Sequence, residues 1–173
     1  SGSASVSISN GIYQSAFAAG EDIQPQGLST LSVTTAIASG ADAVAAITNA
    51  GTITIVGDAS ATGVTAAAAN AAINNAIYQQ ATGGVALDQL TNSGKIDVTA
   101  EAFASATAGT ANAYAYLLPA VHQVVDGATS ATMSFVNSGT FDAHADAKAV
   151  GNKAYAQATV QGVEQEGDLG GVP

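Results

Sequence analysis

The chain has 173 residues and a formal net charge of −10, from 13 acidic residues set against three lysines and no arginine. Phosphate groups are bound by clustered Lys and Arg, so this charge excludes nucleic acid and anionic membrane surfaces as expected partners, and the absence of cysteine excludes disulfides and thiolate metal sites. No apolar run approaches the roughly 18 residues of a membrane span, so no membrane insertion is expected, and with only 5% aromatic residues the core is predicted to be filled mainly by alanine.

Four related segments mark the chain at intervals. They read GIYQ from residue 11, AIYQQ from residue 76, AVHQ from residue 120 and GVEQ from residue 162. The intervals from Ile77 to Val121 and from Val121 to Val163 are nearly equal, whereas the interval from Ile12 to Ile77 is close to one and a half times as long. These spacings predict a basic coil of about 22 residues that is used twice in each repeat of 43–45 residues.

A second motif, Asn-x-Gly, keeps the same period. It lies in ITNAGTITI from residue 47, LTNSGKIDV from residue 90 and FVNSGTFDA from residue 135. Such self-similarity indicates a repeat architecture, so residues 1–173 are predicted to form a single array with its clearest repeats at about 47–89, 90–134 and 135–173. Asn and Gly tolerate the left-handed backbone conformation, and each Asn-x-Gly is therefore predicted to be a tight corner before a strand. The corner residues are Asn49, Gly51, Asn92, Gly94, Asn137 and Gly139.

Strict alternation of small apolar and polar residues follows the corners. After Asn92 one set occupies the even positions from Ile96 to Ala106, and after Asn137 one set occupies the odd positions from Phe141 to Ala149. A period of two residues predicts half-buried β-strands. Alanine-rich strands bury enough apolar surface only when coils stack, and parallel crossovers favour the right hand. The predicted fold is therefore an all-β, right-handed parallel β-helix, or β-solenoid.

The alanine-rich segments leave an alternative open. Alanine has the highest helix propensity, and residues 64–82 alone suit a helix. The equivalent segments of the later repeats contain Pro119 and Gly162, which a helix conserved in position would not accommodate. Strands are therefore preferred, with a helix in some alanine-rich segment as the alternative.

Equivalent polar residues of stacked repeats are expected to lie in rows. Side-chain amides in such rows are predicted to form hydrogen-bonded ladders. With two coils per repeat, successive amides would lie about 10 Å apart, and the intervening coil would have to bridge them. The predicted rows are Asn49, Asn92 and Asn137, and Gln14, Gln79, Gln123 and Gln165.

The corner motifs resemble a known type of repeat. Over about residues 43–165, ITNAGTITI, LTNSGKIDV and FVNSGTFDA are similar to the Leu-x-Asn-x-Gly-x-Ile repeats of filamentous-haemagglutinin-like adhesins and β-helical autotransporter passenger domains. The resemblance implies a secreted, right-handed parallel β-helix at the bacterial cell surface, with adhesive or structural duties. The chain differs from these repeats in its longer period and its high alanine content.

Histidine positions give little support for catalysis. His122 stands where the related segments have Tyr13, Tyr78 and Glu164. A position that accepts Tyr or Glu in other repeats does not require an imidazole. His122 is therefore expected to be an exposed strand residue and not a catalytic or metal-binding group.

Acidic residues recur at equivalent positions of successive repeats. Asp97 and Glu101 correspond to Asp142 and Asp146, and this recurrence favours a charged exposed face over the paired carboxylates of a glycosidase. His144, between Asp142 and Asp146, is the nearest approach to a metal-ligand cluster. No calcium-binding nonapeptide or EF-hand loop is present. We therefore expect no enzyme activity and no cofactor, with weak calcium binding by the acidic surface as the alternative.

The tyrosines are candidates for surface contacts. On the outer face of a strand a tyrosine either pairs across strands and stabilises the sheet, or stacks against a sugar or another partner. The candidates are Tyr13, Tyr78, Tyr114, Tyr116 and Tyr155.

Together these features predict an extracellular structural or adhesive β-solenoid, secreted or on the bacterial cell surface, that forms or belongs to a surface fibre or biofilm matrix. Its expected partners are further copies stacked head to tail or neighbouring repeats of a longer chain. The alternative is a carbohydrate-binding or carbohydrate-processing β-helix, in which glycans contact a face lined by tyrosines and acids.

Overall fold

A computed structural model describes residues 1–17, 33–34 and 42–169. Within these ranges the protein is all-β, with thirteen strands and no helix, and so with no helix long and apolar enough to cross a membrane. The strands are β1 (Gly2–Ile8), β2 (Ile12–Phe17), β3 (Val33–Thr34), β4 (Asp42–Asn49), β5 (Thr52–Gly63), β6 (Ala66–Asn74), β7 (Ile77–Asn92), β8 (Lys95–Ala106), β9 (Thr110–Leu118), β10 (Val121–Asn137), β11 (Thr140–Val150), β12 (Lys153–Val160) and β13 (Val163–Leu169).

The strands form three sheets in which nearly all pairing is parallel. Sheet A has the order β1-β6-β9-β12, and sheet C has the order β11-β8-β5. Sheet B has the order β13-β10-β7-β4-β3, and β2 pairs with the first half of β7 beside β4. Among the described strands, only β3 and β4 pair antiparallel.

The chain passes through the three sheets in a constant order. Strands β5, β6 and β7 lie in sheets C, A and B, and β8–β10 and then β11–β13 follow the same order. We call each set a three-strand repeat. Asn92 is the register partner of both Asn49 and Asn137, and Ile96 is the partner of Ile53. Residues one sequence repeat apart are therefore neighbours in a sheet.

The expectation of two short coils in each repeat is wrong. Ile12 and Ile77 are direct register partners, although the interval between them is one and a half times the later ones. The next partners in this part of sheet B are Phe17 with Thr82 and then Asp42 with Val85. Between these two register pairs the chain has residues 18–41 on one side and only residues 83 and 84 of β7 on the other. This extra length is about half of a repeat and accounts for the longer interval from Ile12 to Ile77.

Alternating burial confirms the strand prediction. In β8 the even positions from Ile96 to Ala106 are buried, and the odd positions between them are not. The segment that alanine propensity alone would make helical contains β6 and the start of β7. Ala67, Ala69 and Ala71 are all buried, because alternation directs them into the core. Tertiary burial therefore overrides helix propensity here.

The interior is divided into two clusters. The main core lies between the three sheets and includes Ile73, Ile77, Ile96 and Leu117 among many alanines. The second cluster, which we call the arm core, lies within sheet B and consists of Ala16, Ala43, Ala45, Ala81, Ala86 and Val125.

The arm core exists because the long strands of sheet B fold back on themselves. A Cβ on Gly127 would overlap the carbonyl oxygen of Ser130, and the pairing of β10 with β7 shifts register between these two residues. In β7 the amide of Gln79 donates a hydrogen bond to the carbonyl of Gln89 on the same strand. The two halves of these strands therefore face each other across small side chains.

Candidate functional site

The corner asparagines form a continuous hydrogen-bonded row. Asn49 Nδ2 donates to Asn92 Oδ1 at 2.7 Å, and Asn92 Nδ2 donates to Asn137 Oδ1 at 2.6 Å. The same two nitrogens donate to the carbonyls of Lys95 and Thr140, at 3.0 and 2.9 Å. Asn49 and Asn92 thus each bind the asparagine of the following repeat and the first residue of the strand after that asparagine. The expected separation of about 10 Å is wrong, because no second coil lies between the repeats.

The glycines of the second and third corners have a different role from the expected one. None of Gly51, Gly94 and Gly139 has φ in the left-handed region, so that explanation is wrong. A Cβ on Gly94 would instead overlap the carbonyl oxygen of Gly51, and a Cβ on Gly139 would overlap that of Gly94. Among the described residues, a Cβ on Gly51, at the first corner, would make only ordinary van der Waals contact. Close stacking of backbone on backbone therefore selects glycine at the second and third corners.

The glutamines form a second row in the interior of sheet B. Gln79, Gln123 and Gln165 each donate a side-chain hydrogen bond to the glutamine of the preceding repeat, at 3.1, 3.0 and 2.6 Å. The row begins at Gln14, whose Nε2 donates to the carbonyl of Ala46 at 3.0 Å. Gln79 and Gln123 are fully buried, so these amides need the partners that the row supplies.

The glutamine row also closes the fold of sheet B. Gln79 Nε2 donates to the carbonyl of Gln89 at 3.1 Å, and Gln123 Nε2 donates to the carbonyl of Ser134 at 3.2 Å. Each bond joins the two halves of one strand, since both partners lie on β7 in the first case and on β10 in the second. The row therefore joins the two halves of β7 and the two halves of β10.

Asp88 is a buried acid that the sequence reasoning missed. Its side chain is fully buried, with Oδ2 accepting the backbone N–H of Val124 at 3.1 Å and Oδ1 lacking a hydrogen-bond partner among the described residues. Desolvation raises the pKa of Asp88 to about 7, and the Val124 N–H only partly opposes this rise. Alternation along β7 supplied a signal, because Asp88 falls on the same side as Ala86 and Leu90, which are buried.

His122 is less exposed than expected. Its side chain is 16% exposed, because the ring packs edge-on against Tyr78 with centroids 5.2 Å apart and Nδ1 lies 3.1 Å from Asn75 Oδ1. Nε2 lies 3.7 Å from Glu166 Oε2. The expectation of an exposed strand residue is therefore wrong for His122, whereas His144 on β11 is exposed.

The outer face of sheet C carries acids in register. Asp58, Glu101 and Asp146 occupy neighbouring strands at one level, and Asp97 and Asp142 are partners at another. A hydrogen bond from Lys95 lowers the pKa of Asp97 below its usual value. In the part of the chain that the structure describes, no three His, Asp or Glu side chains are grouped so as to hold a metal ion.

The tyrosines fall into two groups on different sheets. Tyr13 and Tyr78 are register partners on sheet B and stack with centroids 5.3 Å apart and planes 3° apart. Tyr114, Tyr116 and Tyr155 lie together on sheet A, with the ring of Tyr114 centred 6.2 Å from that of Tyr116 and 5.6 Å from that of Tyr155. The structure thus brings together two of the sequence-predicted surface residues on one sheet and three on another.

The outer face of sheet A differs from the other outer faces in charge. Of the 13 acids, Glu21 and Asp22 lie outside the described residues, and all the others lie on sheets B and C. The described outer face of sheet A carries one charge, Lys153 at its rim. Its central positions are Ser3, Ser5, Ser7, Ala68, Asn70, Ala72, Asn112, Tyr114, Tyr116, Tyr155, Gln157 and Thr159.

Comparison of the chain with family models, curated proteins and solved structures gives no match in any of the three.

Proposed function

We propose that the protein is an extracellular structural or adhesive β-solenoid, a right-handed parallel β-helix that stacks into a fibre or matrix at the cell surface. Parallel sheets joined by two rows of side-chain amides support this proposal, because each repeat completes the hydrogen bonds of the preceding one. Such an arrangement transmits load along the stack. The proposed role is mechanical and not catalytic.

The last three-strand repeat carries the proposal. Strands β11, β12 and β13 each pair on one side only among the described residues, and an unpaired strand edge is a template for another strand. Ala154, Ala156 and Ala158 are exposed there, although their register partners Ala111, Ala113 and Ala115 are fully buried. A further repeat would bury this alanine surface and pair these edges.

The amide rows end at the same repeat. Asn137 and Gln165 are exposed, whereas Asn92, Gln79 and Gln123 in the same rows are fully buried. A further repeat with equivalent amides would extend both rows. The partner we propose is therefore a second copy of the chain, or a neighbouring repeat in a longer one, and the resemblance to surface adhesins supports a location outside the cell.

Electron microscopy of the purified chain tests self-assembly. We expect filaments about one β-solenoid wide. Ala156→Lys places a charge on the exposed inner side of β12 and should abolish them, because the next repeat would have to bury that charge. Gln157→Lys makes the same charge change on the outer side of the strand and should leave the filaments intact.

The mass of the particles gives the opposing outcome. Rods with the mass of one chain at every concentration, unaffected by either substitution, would contradict self-assembly and restrict the stacking to neighbouring repeats of a longer chain. Filaments that form equally well with Ala156→Lys would contradict assembly through the last repeat.

A further inference from the structure

The outer face of sheet A is a neutral surface on an acidic protein. All the described acids lie on the other two sheets, and the net charge of the chain is −10. A polyanion is repelled by such a molecule as a whole, and nothing on the described part of this face attracts it except Lys153 at the rim. An uncharged partner can approach this face without desolvating a carboxylate. The charge distribution therefore favours a neutral ligand.

The size of the face argues against a second copy as its occupant. Its four strands are seven to nine residues long. With strands about 4.8 Å apart and a rise of about 3.3 Å per residue, the face of a single chain has a projected area of roughly 500 Å². A stable protein interface buries about 800 Å² on each partner. An extended polymer lying across the strands needs no such area, because it gains affinity from repeated small contacts.

The side chains on the face have the chemistry that binds sugars. Tyr155 is 52% exposed, and its ring lies 5.6 Å from that of Tyr114, which in turn lies 6.2 Å from Tyr116. Tyr114 and Tyr116 are half-buried and their ring planes lie 13° apart, so the three rings form one contiguous aromatic cluster on this face. Tyrosine rings offer apolar surface to the C–H face of a sugar at a small cost in side-chain entropy.

Amides surround these rings. Asn70 and Gln157 are the register partners of Tyr114 on its two sides, and Asn112 is the partner of Tyr155. A side-chain amide both donates and accepts hydrogen bonds, which suits sugar hydroxyls. No carboxylate lies on the described part of this face, so the amides and hydroxyls are its only acceptors apart from the backbone.

From this charge, area and chemistry we infer that the outer face of sheet A binds neutral polysaccharide through Tyr114, Tyr116 and Tyr155. The inference deepens the proposed adhesive function and rests on it, but it does not depend on stacking at the last repeat. The ligand lies on the side of the stack and not at its end.

Co-sedimentation with microcrystalline cellulose and with chitin tests the inference. We expect the protein to bind at least one of these neutral polysaccharides and not to bind alginate, a polyanion. Tyr114→Ser combined with Tyr116→Ser should weaken binding about ten-fold or more. Tyr114→Phe combined with Tyr116→Phe should retain most of it, because the rings remain.

A matched pair of substitutions separates ring loss from loss of fold. Tyr13→Ser with Tyr78→Ser removes two stacked rings from sheet B and should leave polysaccharide binding unchanged. Absence of binding to both neutral polysaccharides would overturn the inference, as would equal binding by the Ser variants of Tyr114 and Tyr116. A lateral dimer in sedimentation equilibrium that these Ser variants abolish would also overturn it, in favour of a second copy on this face.

The failure of this inference can be distinguished from failure of the proposed assembly. Ala156→Lys should stop filament growth without changing polysaccharide binding by the single chain. The Ser variants of Tyr114 and Tyr116 should lose binding while filaments still form. Loss of both properties in either variant would contradict their assignment to separate surfaces.

Discussion

Asp88 places a carboxyl group in the interior of sheet B, where no residue that the structure describes forms a hydrogen bond with Oδ1. Its register partners are Ala45 and Met133, so the neighbouring repeats have uncharged residues at this position. The position accepts an acid because burial raises the pKa to about 7, which keeps the group neutral below that pH.

The raised pKa gives a prediction for stability. The folded chain holds the Asp88 proton up to about pH 7, whereas the unfolded chain releases it near pH 3.8. The contribution of Asp88 to the free energy of unfolding should therefore be greatest below pH 3.8, fall as the pH rises to about 7 and stay constant above it. From the two pKa values the loss is on the order of 4 kcal/mol. Urea unfolding between pH 4 and 8 measures it.

Asp88→Asn is the control for this prediction. Asparagine can still accept the Val124 N–H but does not ionise, so the variant should be more stable than the wild type at pH 8 and should lose most of the pH dependence between 5 and 7. Equal slopes for the two proteins in that window would show that Asp88 is not the titrating group.

At the scale of the elements, the Asn-x-Gly corners between sheets B and C show how a sequence motif follows from the stacking of one backbone on another. Backbone hydrogen bonds repeat from one corner to the next, with Ser93 donating to the carbonyl of Asn49 and Ser138 donating to that of Asn92, both at 2.8 Å. The corners therefore stack in one geometry, and the available space differs only at the first of them, where the nearest described atom to a Cβ on Gly51 is Asn49 Oδ1 at 4.0 Å.

Alanine substitution at two equivalent glycines tests this account of the corner. Gly94→Ala should lower the free energy of unfolding by about 2 kcal/mol or more, because the new Cβ overlaps the carbonyl of Gly51. Gly51→Ala should change it by less than about 0.5 kcal/mol, because the new Cβ makes only ordinary contact with the described residues and φ is not left-handed. Thermal or urea unfolding of both variants provides the comparison. Equal losses would indicate that conformational freedom and not packing selects these glycines.

Local patterns in the sequence predict much of the element structure. Alternation identifies the buried positions of β8, and the recurrence of Asn-x-Gly and of Gln identifies the two amide rows, because stacked repeats place equivalent residues side by side. The length of the coil could not be obtained in the same way. Residues 18–41 add nearly half a repeat to one interval, and a spacing alone does not distinguish an inserted segment from an additional coil.

The environment of Asp88 could not be predicted from the pattern of a single strand either. Alternation indicates that Asp88 points inward, but the arm core depends on the fold of β7 around residues 83 and 84, which brings distant parts of a strand together. The same holds for Gly94 and Gly139, because the atom that excludes a Cβ at each position belongs to the backbone of the preceding repeat.

At the scale of the whole molecule, each three-strand repeat gains its stability from its neighbours. Its inward side chains are mainly alanines, which bury little surface singly, and its buried amides are satisfied by the repeats on either side. This dependence makes the last repeat, with its exposed alanines, the weakest described part of the stack. The stability of the whole molecule therefore depends on the register between repeats.

Engineered cysteine pairs measure that register most directly, because the chain has no cysteine of its own. Thr99 and His144 are register partners on adjacent strands of sheet C, at a spacing that a disulfide can span. Asp126 and Lys148 are half a repeat apart, as equivalent positions would be if each repeat held two coils, and they lie on sheets B and C. We predict that mild oxidation cross-links Thr99→Cys with His144→Cys and leaves Asp126→Cys with Lys148→Cys unlinked, while both proteins keep their β-sheet circular dichroism. A disulfide in the second pair, with none in the first, would contradict the stacking of one three-strand repeat directly on the next.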